Sequence, residues 1–336
     1  MKITTKQVRQ VATMLDEIIK EYKTENPKQK RDWRTYEQQS AERLKTAFRE
    51  LKPIIDEAVS MIALTKGIKR GNKSSLDLRQ KVLVILLARL LQKSNRNMSS
   101  MMILFSWLAD VSVGYKTVER LYSDESVALA LHNVQVILLR RKGIEHVDGS
   151  GDGTGHTITI NMHYATEAQK RKDKIKENSS ETKKKVIYSF ALMDIKTRMY
   201  VGYGTSFISE NAAYLDAVMM TRELNISLDS IRLDRYYSTQ SRAEFLQENF
   251  PGIAMYLIPK INATIKGSWS WKRMLHTLVQ DPKSYLKEYF HRNQSESGFA
   301  EDKKRTGWKL GQKRPERIAT AGFCNLLWHN LHWLND

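Results

Sequence analysis

A single cysteine, Cys324, is all the thiol that this chain of 336 residues contains. One thiol excludes an intrachain disulfide framework and any zinc site built on several cysteines. Cys324 is expected to be a small buried apolar residue. Negative charge is also scarce: 37 Asp and Glu stand against 55 Lys and Arg, a formal net charge of +18. That balance favours a polyanionic partner, nucleic acid before an anionic membrane surface. A ribosomal-type basic protein would show the same excess, so charge alone does not imply catalysis. No run of 18 apolar residues occurs, which excludes a membrane span of ordinary composition. The opening Met1-Lys2-Ile3-Thr4-Thr5 lacks the apolar stretch of a signal peptide. These absences lead us to expect a soluble protein of a reducing cytoplasm, with no membrane among its partners.

What is present divides the chain in two, and the length allows two domains. Residues 1–142 read as helical. Val8, Val11, Leu15, Ile18 and Ile19 recur at helical spacing, and a second helix is expected from Trp33 to Ile62, broken or kinked near Pro53. Residues 65–75 form a basic connection. Ser75 is a candidate cap for an apolar helix from Leu76 to Gln92. Residues 98–122 read as helix, glycine-containing turn, helix, with Lys116, Thr117 and Arg120 on the second helix. This is the pattern of a DNA-reading helix-turn-helix, or of an ordinary helical hairpin. A helix from Val127 to Arg141 ends in a Gly143 stop signal, where we place the domain boundary.

From Ile144 the texture changes to short β-like runs with turns between them. Val147-Asp148 closes the first run, and Asp234 closes Ile231-Arg232-Leu233. Between Asp148 and Gly155 the glycines suggest a loop. Its residue pattern fits neither a calcium-binding loop nor a phosphate-binding loop, and Asp152 reads as a solvated turn residue in preference to a ligand. Residues 165–185 carry eight Lys or Arg against four Asp or Glu, a basic loop. Residues 260–288 form a partly helical segment in which Trp269 and Trp271 lie among Lys266, Lys272 and Arg273. Core packing is the common fate of such tryptophans, and stacking on a displaced DNA base is the alternative.

The most distinctive stretch runs from Tyr289 to Lys303. On one continuous helix at about 100° per residue, Tyr289, Arg292, Glu296 and Lys303 share an arc of about 60°. A carboxylate flanked by a guanidinium, an ammonium and a phenol suits a cation beside a polyanion. It also suits a solvated face with an Arg–Glu pair.

The spacing Tyr-x2-Arg-x3-Glu-x6-Lys resembles the last catalytic block of the DDE transposases of prokaryotic insertion sequences. The resemblance covers roughly residues 140–336. It implies an α/β RNase H-like catalytic domain, a mixed sheet flanked by helices, at 143–336 with a short insertion at 260–288. An all-α DNA-binding domain at 1–142 would precede it. It also implies that Asp148, Asp234 and Glu296 converge as catalytic ligands of two Mg2+ (or Mn2+) ions, and that Tyr289, Arg292 and Lys303 contact phosphate. Tyr236 stands where that family usually has glycine. The implied partners are double-stranded DNA, at element ends and target, and a second copy of the chain in a homodimeric synaptic complex. The implied location is cytoplasmic, with the nucleoid when bound. The implied activity is cleavage at the element ends and their joining to target DNA. The rivals are an RNase H-like nuclease without strand transfer and a catalytically inactive basic DNA-binding protein. A tyrosine recombinase is disfavoured, because no His-x-x-Arg occurs with a well-placed Tyr.

Overall fold

The computed structural model describes residues 3–27, 32–62, 76–92, 94–99, 101, 113–158, 186–312 and 314–336. The basic stretches at 65–75 and 165–185 and most of the first helix of the expected helix-turn-helix lie outside them.

Helices come first. α1 spans Thr5–Glu25 and starts on a capping box between Thr4 and Gln7. α2 runs Trp33–Ser60 without interruption, so the expected break at Pro53 does not occur; buried Leu51, Ile54 and Ile55 hold the helix through it. α3, Leu78–Leu90, is capped by Asp77, whose carboxylate accepts from the Gln80 amide (2.8 Å), two residues beyond the serine expected there. α4 is a short helix, Tyr115–Leu121, and α5 spans Glu125–Arg141, ending at Gly143 with φ 69°.

The sheet follows: β1 (His146–Ile158), β2 (Val186–Asp194), β3 (Tyr200–Ser206), α6 (Glu210–Glu223), β4 (Ser227–Leu233), α7 (Gln240–Asn249) and β5 (Ala254–Leu257). Two helices, α8 (Trp269–Gln280) and α9 (Pro282–Tyr289), fill the expected insertion. α10 (Asn293–Thr306), the short β6 (Lys309–Leu310) and α11 (Pro315–Trp333) complete the chain. The six strands form one mixed sheet in the order β3-β2-β1-β4-β5, with β6 also on β1. β2 and β3 are antiparallel to their neighbours, and β4 and β5 run parallel.

Two expectations fail here in an instructive way. The glycine-rich stretch after Asp148 is not a loop but the middle of β1, a strand of 13 residues. Gly151 shows why glycine belongs there: a Cβ would come within 2.6 Å of Phe190 and 2.7 Å of Leu233. The residue is small because its neighbours close over the strand, not because the backbone must bend. The second failure concerns Tyr289 to Lys303, which is not one helix. A 3-10 turn at Phe290–Arg292 separates α9 from α10. The shared arc read from uniform helical geometry is therefore not what brings these residues together.

α11 ties the helical and sheet regions. Its Trp328 is fully buried and donates its indole N–H to the Leu86 carbonyl of α3 (2.9 Å). Its Asn330 donates to Gln135 of α5 (2.9 Å) and accepts from the Tyr200 amide of β3 (2.7 Å). Cys324 is fully buried on the same helix, and burial pushes its thiol up to about 12. None of the helices is long and apolar enough to cross a membrane, among the described residues.

Candidate active site

The centre of the sheet positions the site. β1 and β4 lie side by side and parallel, with Asp148 opposite Ser230 and Ser150 opposite Arg232. Two residues further along β1, Asp152 lines one concavity with Asp234, which stands just past the end of β4. Strand geometry puts Asp148, Ser150 and Asp152 on one face. Ser150 fixes which face that is: its hydroxyl lies 2.9 Å from the Ser295 hydroxyl, in the first turn of α10. Asp152 therefore stands under the start of α10.

Asp234 caps the short 3-10 turn Arg235–Tyr237, accepting from the Tyr236 amide (3.2 Å). The tyrosine in place of glycine is half-exposed and leaves that cap intact. Arg292, at the end of the other 3-10 turn, joins the acids. Its Nη1 donates to Asp234 Oδ2 (3.1 Å), and its Nη2 pairs closely with Glu296 Oε1. Burial works against the guanidinium's charge, yet Tyr289, Glu296, Asp234 and Asp152 together raise its pKa. Asp152 responds the opposite way. Burial, offset by Arg292 and reinforced by Glu296 and Glu210, pushes its carboxyl up to about 6. Three carboxylates from β1, the end of β4 and α10 thus share the field of one arginine.

Asp148 does not belong to this set. It stands four residues back along β1, about 13 Å at strand spacing. There it pairs with Lys196 (2.8 Å), accepts from the Ser230 hydroxyl and lies 4.0 Å from Arg232. Burial opposes its ionisation, but Lys196 and Ser230 hold the carboxyl below its ordinary value. The expected convergence of Asp148 with Asp234 and Glu296 is not what the fold arranges: Asp148 stands apart, and the β1 carboxylate in the field of Arg292 is Asp152. The residue that the sequence reading set aside as a solvated turn is the one beside the arginine.

The remaining expected residues divide. Tyr289 is buried, its ring centre 5.8 Å from the Arg292 guanidinium, and burial pushes its phenol up to about 12. Lys303 bonds to the Thr154 hydroxyl of β1, and its ammonium lies 4.2 Å from the centre of the Trp308 ring. Burial lowers its pKa, with Asp152 opposing. Trp269 is 77% exposed, whereas Trp271 is buried and donates its indole N–H to the Thr264 carbonyl (2.8 Å). Stacking on DNA is thereby closed to Trp271. On α4, Lys116 and Arg120 are exposed and Thr117 is half-buried.

Beneath α10 lies a buried network that the sequence did not announce. Asp302 lies 2.7 Å from His329 Nδ1 and accepts from the Tyr200 hydroxyl (2.8 Å), while His329 Nε2 lies 2.7 Å from the Arg198 carbonyl. Gly298 lets α10 approach this layer; a Cβ there would come within 2.5 Å of Met193 and 2.9 Å of the Tyr200 hydroxyl. His329 is a packed helix residue, fully buried.

No family model matches the chain, and no solved structure matches it. Over 330 residues the chain is 39% identical to a protein of Archaeoglobus fulgidus described as "Probable transposase for insertion sequence element ISA1214". The match spans 98% of this chain and 96% of that protein. At that identity over nearly the whole of both sequences, the chain belongs to the insertion-sequence transposases.

Proposed function

We propose that the chain cleaves DNA at the ends of a mobile element and joins them to target DNA by metal-assisted phosphoryl transfer, with Asp152, Asp234 and Glu296 as its three carboxylates. The observation that carries this reading is Arg292, which bridges Asp234 and Glu296 while Asp152 sits in the same field. The strand order, with β1 between an antiparallel pair and a parallel pair, supports an RNase H-like fold.

The donor set fits Mg2+ or Mn2+. All three groups offer hard carboxylate oxygens, and the carboxyl of Asp152 is raised chiefly by burial, with Glu296 and Glu210 adding to it, a penalty on its charge that a dication would relieve. Among the described residues no three such side chains are gathered as a metal-holding group. Between Asp234 and Glu296 the compensating charge is the Arg292 guanidinium. Bound divalent ions would polarise the scissile phosphate and lower the pKa of the attacking water or 3′-hydroxyl.

The chain's own residues do the rest. Arg292 neutralises the carboxylates in the DNA-free protein. With DNA present, its planar fork suits a bidentate grip on a phosphate, for which it must let go of Asp234 and Glu296. Lys303, held by Thr154 beside β1, adds a second positive charge on the same face. Tyr289 packs against Arg292 and limits where the guanidinium can swing. Lys116 and Arg120 of α4 and the exposed Trp269 offer further DNA contacts outside the site.

The test is single-turnover cleavage and strand transfer on DNA carrying the element's terminal repeats, with Mg2+ or Mn2+. Asp152→Asn, Asp234→Asn and Glu296→Gln should each abolish both steps while leaving DNA binding intact. An active Asp152→Asn protein would sink the assignment. Cleavage without joining of pre-cut ends would reduce the protein to a nuclease.

A further inference from the structure

A second concave site lies away from the carboxylates. It is a cleft of about 700 Å3 between the end of α3, residues 94–97, α4 and the turn after α10. That volume is in the range of small-ligand sites. Three features of its lining point to one class of ligand.

First, its floor carries a positive charge with no acidic partner among the described residues. Arg89 is 6% exposed, and its hydrogen bonds end on neutral oxygens: the Asn325 amide, the Lys309 carbonyl (2.7 Å) and the Gly307 carbonyl (3.4 Å). Among the described residues Glu119 is the only carboxylate in the lining, and it is committed to Arg317. A buried guanidinium compensated only by neutral dipoles leaves the cleft attractive to an anion. Lys309 adds to that field at the wall.

Second, two aromatic rings stand at the cleft. Trp308 is 65% exposed and Tyr115 40%. Each already has a cation near its ring, Lys303 at 4.2 Å from the Trp308 centre and Arg96 at 5.4 Å from the Tyr115 centre. An exposed ring backed by a cation is a platform for a flat, electron-rich group.

Third, the cleft is joined to the active site. Lys303 contacts Thr154, two residues from Asp152, and the Thr157 amide donates to the Trp308 carbonyl (3.2 Å). From Asp152 to Thr157 along β1 is about 17 Å at strand spacing, about five steps of duplex DNA.

We infer that this cleft binds an unpaired nucleotide of a DNA strand, with its base stacked on Trp308 and its phosphate in the field of Arg89 and Lys309. The inference rests on the DNA-processing role proposed above. A groove that follows only duplex backbone needs cations but no exposed rings, and a strand with bases turned outward needs both. The cleft would hold a strand already melted near the cut, on the α4 side of the carboxylates.

The experiment is fluorescence anisotropy of the full chain with labelled oligothymidine and with a duplex of equal length, in EDTA at fixed salt. Trp308→Ala should weaken oligothymidine binding about tenfold and duplex binding less than about twofold, with an unchanged melting curve. Trp308→Phe should restore most of the loss. An abasic spacer scanned along the oligonucleotide should weaken the wild type at one position and the Trp308→Ala protein at none. Oligothymidine binding by Trp308→Ala equal to wild type would overturn the inference, as would equal loss on single strand and duplex. EDTA removes cleavage from the measurement, so the outcome is independent of the carboxylate assignment. A protein that fails to cut can still show the Trp308 effect, and a protein that cuts can still lack it.

Discussion

Two aspartates on one strand, four residues apart and on the same face, have opposite electrostatic fates. Asp148 meets Lys196, Ser230 and Arg232, and its carboxyl is held ionised below its usual range. Asp152 meets burial, Glu296 and Glu210 with a shared arginine, and its carboxyl rises to about 6. The first has its charge matched by its neighbours. The second is buried beside other carboxylates, and Arg292 only partly offsets that burial. For the proposed function, the buried and poorly satisfied carboxylate is the informative one.

The sharpest way to break this comparison is to remove each carboxylate in turn. Asp152→Asn should lower single-turnover cleavage by about 10³-fold. Asp148→Asn should leave cleavage within about twofold and cost about 1 kcal/mol of stability through its lost charged hydrogen bonds. The same assay with a urea melt of each variant decides it, and reversed effects would return Asp148 to the site.

Arg292 is the next lever. Arg292→Ala should slow cleavage about 10²-fold, and Arg292→Lys should recover only part, because one ammonium cannot replace the fork. Without the guanidinium the three carboxylates repel. The Ala variant should therefore melt a few degrees lower in EDTA, and Mg2+ should raise its melting point more than that of the wild type. Equal Mg2+ shifts in the two proteins would count against a shared metal site.

The buried layer under α10 should respond in stability. His329→Ala leaves Asp302 with one partner fewer in a buried setting and should cost about 2–3 kcal/mol, read by urea denaturation. Cleavage under conditions where the variant is folded should fall less than in Arg292→Ala.

The smallest effect is a pH slope. Burial pushes His156 down to about 4 and His332 down to about 2. An unfolded chain takes up these protons near pH 6.5 while the folded chain does not, so both groups make stability fall as pH drops below about 6.5. Asp152 acts in the opposite sense, because its folded carboxyl binds a proton near pH 6 and the unfolded one only near 3.8. In EDTA these contributions partly cancel between pH 6.5 and 4. Asp152→Asn removes the stabilising member, so its stability should fall more steeply with acid than that of the wild type. Parallel slopes in thermal melts across that window would contradict the raised carboxyl.

Much of the architecture was legible from residue pattern. The helical first part, the change at Gly143 and the strand delivering Asp234 follow from periodicity and turn signals, whereas the closeness of β1 and β4 was implied only by the resemblance. The block from Tyr289 to Lys303 was distinctive by spacing alone. The error at Asp148 has a physical origin. Gly149, Gly151, Gly153 and Gly155 look like a loop when local propensity is the guide, but Gly151 is small because Phe190 and Leu233 close over it, and those partners are distant in sequence. Once the strand is carried through the glycines, its period of two places Asp152 on the face of Asp148, so the missing signal was tertiary. The tie from Asp302 to His329 was likewise hidden, since nothing in a helical sequence says which buried polar groups will meet.

The three-residue turn at Phe290–Arg292 has a consequence for how such a chain can vary. A 3-10 turn advances about 120° per residue and an α-helix about 100°, so the turn shifts helical phase by about 60° over its length. α9 and α10 therefore do not share a rotational register. α10 is seated by its own ties, Ser295 to Ser150 at one end and Asp302 to His329 at the other. A residue gained or lost before Phe290 would turn α9 and its buried Tyr285 and Leu286, while those ties keep Glu296 where it is. Changes of length between β5 and α9 need therefore not turn α10, provided that Tyr289 and Arg292 keep their places beside Asp234 and Glu296.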